Sequence, residues 1–177
     1  MSHPETANPS YPIGQFEKSS IDPDRRAEYI RTIAELPAKL REAASGLNES
    51  QIDTPYRDGG WTVRQTVHHV ADSHMNALTR IKLALTEEMP TIRPYYEDRW
   101  ANLADSALPV KVSLNLIDGI HQRWTALLNS LSEDEFGRKL IHPESGEWTI
   151  EGILAMYAWH SKHHTAHITK LRERNNW

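Results

Sequence analysis

The stretch TVRQTVHHVADSHMNALTRIKLALTEEMP, Thr62–Pro90, decides how the chain folds. Apolar residues recur at Val63, Val67, Val70, Leu78, Ile81 and Leu85, the 3.6-residue spacing of a helix with one buried face. Thr62 with Gln65 three residues on forms a capping box, so the helix starts sharply. After Leu85 the periodicity stops. Residues 87–109, EEMPTIRPYYEDRWANLADSALP, carry three prolines and two adjacent tyrosines. A connection of that length is too long to join neighbouring helices as a hairpin. It acts as a crossover and lets the helices on either side run parallel.

Toward the N-terminus, residues 22–47 have helical periodicity at Ile30, Ile33, Leu36, Leu40 and Ala44, with Pro37 set to kink the helix and Gly46 to end it. TPYRDGG, 54–60, is turn chemistry. Toward the C-terminus a third helix spans about 110–131, and Ser132 with Glu135 can cap a further turn. IHPESGEWT, 141–149, reads as a polar loop, and a fourth helix spans about 149–174. Four amphipathic helices without a strand series predict an all-α four-helix bundle with a long crossover between helices two and three. Residues 1–22, with prolines at 4, 9 and 12, read as an irregular arm, and residues 23–177 as one domain.

Composition narrows the function. The 177 residues have a net charge of −4, a poor match to the basic surface of a nucleic-acid binder. No run of about eighteen apolar residues is present, so no membrane partner is expected. The N-terminus lacks the apolar core of a signal peptide, which predicts a cytoplasmic protein. Cysteine is absent. Any metal must therefore be held by histidine, carboxylate or backbone.

Ten histidines are the outstanding feature, four of them in WHSKHHTAHI, Trp159–Ile168. On a helical wheel His160 and His164 fall within the apolar stripe of helix four, Ile150, Ile153, Leu154, Tyr157, Ile168 and Leu171. His167 lies at its edge, and His163 lies beyond it toward solvent. Two histidines one turn apart on a buried stripe need a partner, and the i,i+4 spacing lets both rings converge on one ion. Helix two offers the third ligand. The wheel favours His74, in mid-stripe, and leaves His69 on a flank beside the small residues Thr66, Ser73 and Ala77. His68 points toward solvent. Periodicity leaves the choice between His69 and His74 open.

The segment WTVRQTVHHVAD, 61–72, together with the later HxxxH, resembles the DinB-like superfamily of metal-binding four-helix bundles. YPIGQF (11–16), TPYRDGGWTVRQTVHHVADSHMNA (54–77), KLALTEEMPTIRPY (82–95) and WHSKHHTAHI are similar to the YfiT-type metal-dependent hydrolases within it. The resemblance implies a divalent metal, one per chain, held by His69, His160 and His164, with zinc the first expectation and nickel the second. It also implies a homodimer, for which six tryptophans offer aromatic surface. The chain departs from many DinB-like proteins at Ala166 and His167, where they carry Gly and Gln.

Three imidazoles leave a divalent ion with its full charge and an open position, a catalytic type of site that would acidify bound water or a thiol. Imidazole suits both zinc and nickel. The glutamate of HExxH is missing, because Ser161 follows His160. Hydrolysis of a small-molecule substrate is therefore set against two alternatives. One is transfer of a low-molecular-weight thiol of the bacillithiol type, as in some superfamily relatives; the other is a metal-stabilised bundle without catalysis. Asp72 and His74 are candidate partners of the ligands. Arg93, Tyr95, Tyr96, Arg99 and Trp100 of the crossover are candidate pocket residues, the arginines for carboxylates and the aromatics for stacking.

Overall fold

A computed structural model describes residues 8–177; Pro4 and the first seven residues of the arm lie outside it. Four long helices make the bundle: α1 (Arg26–Ala44), α3 (Val63–Thr86), α5 (Val110–Leu128) and α7 (Ile150–Asn175). Short turns α2 (Glu49–Ile52), α4 (Glu97–Trp100) and α6 (Glu133–Phe136) punctuate the links. The capping boxes expected at Thr62/Gln65 and Ser132/Glu135 are both formed, and Asn48 with Gln51 builds another at α2. Gly46 follows the end of α1 at φ 74°, a conformation that costs glycine little.

The contacts between helices fix their directions. His68 and His74 on α3 meet Ser113 and His121 on α5, so these two helices advance together. The crossover, residues 87–109, therefore works as expected, returning the chain to the end where α3 began. Against α7, His69 meets His160 while Ser73 meets Tyr157, an antiparallel pair. Arg26 pairs with Glu151 and Arg172 binds the Ala43 carbonyl, so α1 and α7 are parallel. Arg41–Asp118 and the Ile33 carbonyl with His121 make α1 and α5 antiparallel.

The segment 141–149, expected as a polar loop, is instead largely a β-hairpin. Strands β1 (Lys139–His142) and β2 (Gly146–Thr149) pair antiparallel, from Lys139 opposite Thr149 to His142 opposite Gly146. Gly146, at φ 77°, supplies the left-handed residue the turn needs. Backbone bonds from Ile92 to Ile141 and from Ile141 to Pro90 tie the crossover to β1. The similar openings GGWTV and GEWTI have a shared physical cause: Thr62 and Thr149 each cap a long helix.

The core is split. One apolar cluster gathers Ile33, Ile81, Trp124, Leu140 and Leu154, and the other gathers Leu36, Leu40, Val67, Ile117 and Ile168. Between them lie Ser73 and His74 along α3 and His160 with Ser161 along α7, while His121 of α5 joins them from beside Ile120 and Trp124 of the first cluster. A layer of imidazoles crosses the bundle where a core would be uniformly apolar.

Candidate metal centre

His69 projects from α3 and His160 and His164 from α7, and the three rings converge. The Nε2 atom of His160 lies 3.3 Å from that of His69 and 3.1 Å from that of His164. One ligand nitrogen from each residue falls within 4.8 Å of the other two. Nitrogens arranged tetrahedrally at zinc–nitrogen bonds of about 2.0–2.1 Å stand roughly 3.3 Å apart, so the trio matches the spacing of such a ligand set. Burial holds all three neutral, as ligands must be. The His69 pKa is lowered to about 4, and those of His160 and His164 lie well below 6.5, chiefly through desolvation and secondarily through neighbouring histidines.

Hydrogen bonds behind His160 determine which of its nitrogens is bare. His121 Nδ1 bonds to the Ile33 carbonyl, which can only accept, so His121 carries its proton there. Its free Nε2 then accepts from His74 Nδ1, 2.9 Å away. His74 Nε2 in turn accepts from His160 Nδ1 at 3.0 Å. His160 Nε2 is left unprotonated and aimed at the other two ligands. His74 is fully buried and edge-on to Tyr157 and Trp124, which lock its ring. His74 therefore stands behind His160 rather than facing the cluster of Nε2 atoms. Of the other candidate partner, Asp72, the hydrogen bond runs through its backbone carbonyl, to Asn76.

The rings of His69, His160 and His164 line a cavity of about 580 Å³, and so do Trp61, Tyr95, Tyr157 and Trp159. Trp61 packs on His69 with ring centroids 4.5 Å apart. A model of the DinB superfamily matches residues 32–168. The chain belongs to the DinB superfamily. A protein of Bacillus mycoides strain KBAB4 named "putative metal-dependent hydrolase" is 54% identical over 168 residues, covering 94% of this chain and 97% of that one. A protein of the same name from Bacillus cereus strain B4264 is also 54% identical with the same coverage. The solved structure of YfiT from Bacillus subtilis, described as "a probable metal-dependent hydrolase with an unusual four-helix bundle topology", superposes with TM-score 0.92 at 50% identity. That match covers 96% of this chain and 99% of YfiT.

Several expectations need correction in this DinB chain. His163 and His167, placed toward solvent and at the stripe edge, are both buried. Much of the cause is outside α7: Tyr11 of the arm joins Trp159 of α7 itself in covering His163, and Tyr56 stacks flat on His167 at 3.9 Å. His68 is likewise buried rather than solvated. It donates through Nε2 to the Leu108 carbonyl and accepts at Nδ1 from Ser113, anchoring the end of the crossover to α3. Tyr95 and Tyr96 line the cavity as expected, but Arg93 and Trp100 line a neighbouring hollow, and Arg99 lies over the Tyr96 ring. Arg57 and Arg80 are the arginines that line the cavity beside His69, His160 and His164. His121 was legible as a polar residue within the Leu114, Ile117, Trp124, Leu128 stripe of α5; its link to the site depends on α3 lying beside it.

Proposed function

We propose that this protein is a metal-dependent hydrolase of small molecules, with His69, His160 and His164 holding a divalent ion, zinc first and nickel second. The observation that carries the reading is the convergence of three neutral Nε2 atoms at the wall of a roomy cavity. When bound, such an ion supplies Lewis acidity and lowers the pKa of a coordinated water toward neutrality. The chain's own contribution is positional. His74 and His121 hold the His160 ring in one tautomer, Trp61 packs against His69, and Tyr157, between Ser73 and His160, has its hydroxyl pKa raised chiefly by burial. Metal analysis of the purified protein, followed by assay of ester and amide hydrolysis before and after metal removal, tests this. Activity that survives stripping of the ion overturns it.

A second reading, conjugation of a low-molecular-weight thiol to an electrophile, is favoured by one observation. Among the described residues the carboxylates that line the cavity, Glu97, Asp98 and Glu144, are all exposed, and Ser161 stands where HExxH would supply a base. Thiol conjugation needs no such base. Parallel assay with and without thiol separates the two chemistries, and metal that is essential to the fold but to neither activity would support a structural role.

We further infer a single domain over residues 23–177, with residues 1–22 as its arm, and a homodimer. The tryptophans lend the dimer little support, because Trp124 lies in the core, Trp61, Trp148 and Trp159 line the cavity, Trp100 packs against Tyr95 and Trp177 against the second apolar cluster. Val112 and Leu116, one turn apart on α5 and 51% and 45% exposed, support it instead. Sedimentation at micromolar concentration giving only a 20.3 kDa species would end that inference.

A further inference from the structure

His163, His164 and His167 form a second convergent trio on α7, with one ligand nitrogen of each within 4.8 Å of the others. Their residues are only 7%, 7% and 4% exposed. What separates them from ordinary core histidines is that four of their six ring nitrogens meet no partner among the described residues. Nδ1 of His163, Nδ1 of His164 and both nitrogens of His167 are buried without a hydrogen-bond partner among the described residues. The Ser10 backbone approaches His167 without reaching normal hydrogen-bond geometry. Each buried polar group left unsatisfied costs roughly 1–3 kcal/mol, and four side by side call for a common partner.

Aromatic packing already holds the rings in place. Trp159 stacks on His163 at 4.3 Å and Tyr56 on His167 at 3.9 Å, the latter pair within 6° of parallel. Burial keeps His163 and His167 neutral, each with its pKa lowered to about 4, so their lone pairs are free. All three line the same cavity as His69 and His160. An all-imidazole donor set selects zinc, copper or nickel over magnesium or calcium.

We propose that His163, His164 and His167 are a second divalent-cation site, with His164 shared between the two sites. His164 turns Nε2 toward His160 and retains Nδ1 for the second ion. Bridging requires that His164 give up its ring proton to solvent as the second ion binds. The second ion is therefore held more weakly than the first. The trio stands without the first site; only the bridging role of His164 rests on the reading above.

The test uses the full chain, stripped of metal and titrated with Zn²⁺ by calorimetry, with metal content measured after gel filtration. Two ions per chain are expected, the second bound at least tenfold more weakly. The double variant His163→Gln/His167→Gln should bind one, with the first affinity unchanged. His69→Ala should lose the tight ion and keep the weaker one. Paramagnetic resonance of the copper-loaded protein adds a readout of the bridge: wild type should show a spin-coupled pair, and the double variant an isolated copper. Circular dichroism melts of each variant establish folding. A single ion in wild type at saturation, with its affinity lost in His69→Ala, overturns the second site and leaves the first. A single ion lost in the double variant and kept in His69→Ala overturns the first and leaves the second. Two ions that both persist in the double variant also overturn the proposal.

Discussion

His160 shows how much one side chain depends on residues that never reach the cavity. Its bare Nε2 follows from a chain of donors that ends on the Ile33 carbonyl. Removing that end should release the tautomer. His121→Phe is therefore expected to weaken Zn²⁺ binding at the tight site by about 10- to 100-fold, the usual consequence of losing a partner behind a metal-bound histidine. Calorimetry of the folded variant checks this, and an unchanged affinity would refute the relay. His160→Ala should abolish tight binding outright, whereas His163→Ala should spare it. His69→Ala against His74→Ala separates ligand from support: the first should eliminate the tight ion, and the second should weaken it. Equal loss in both would make the distinction between them untenable.

Among the elements, α3 does most to build the site. It brings His69 to the ligands and His74 to the relay, and its first turn carries Thr62 beside Trp61. The Thr62 hydroxyl accepts from the Gln65 amide, while Gln65 returns a bond to the Thr62 amide. Thr62→Ala should cost about 1 kcal/mol, within a range of roughly 0.5–2. In a chain of this size each kcal/mol lowers the melting point by roughly 2–4 °C. Calorimetric melts of the apo protein read the shift directly, and metal stoichiometry should not change, because the ligands sit beyond the cap. The hairpin and crossover are a second unit, joined to each other by backbone bonds. Tyr95, Tyr96, His142 and Trp148 of that unit line the cavity across from the helices.

At the scale of the whole molecule, the buried histidines set the response to acid. His69, His121, His163 and His167 have their pKa values lowered to about 4, first by burial, and His74, His160 and His164 lie well below 6.5. Unfolded, each would take up a proton near pH 6.5. Between about 6.5 and 4 the unfolded chain therefore binds more protons than the folded one, and stability rises with pH across that window. The apo protein should be fully stable above about pH 6.5 and lose stability steadily as pH falls toward 4. Metal adds a separate effect. Because burial lowers the His69 pKa to about 4 and holds those of His160 and His164 well below 6.5, protons compete with zinc in the folded protein only far below pH 6.5. Melts of apo and zinc-loaded protein from pH 4 to 8 should keep a nearly constant gap down to about pH 5, then converge. A gap that closes already at pH 6.5 would show that the histidines titrate as if exposed.

Periodicity in the sequence by itself determined the four helices, the capped start of α3 at Thr62 and the parallel crossover, because a 3.6-residue apolar pattern and a capping box are local properties of the chain. It also put His160 and His164 on one buried face. It could not choose between His69 and His74, since a helical wheel ranks burial and cannot tell a ring aimed into a cavity from one bonded behind it. That choice came from resemblance, and the fold gives His74 its separate place through His121, a residue 47 positions away. His68, His163 and His167 were misplaced for the same reason. Their burial is supplied by Leu108, Tyr11, Trp159 and Tyr56, three of them on segments with no periodic signal. Hydrophobic patterning records only the face a helix turns to the main core. What loops and an N-terminal arm fold back to cover is decided by tertiary packing, and in this protein that covering closes over the histidines.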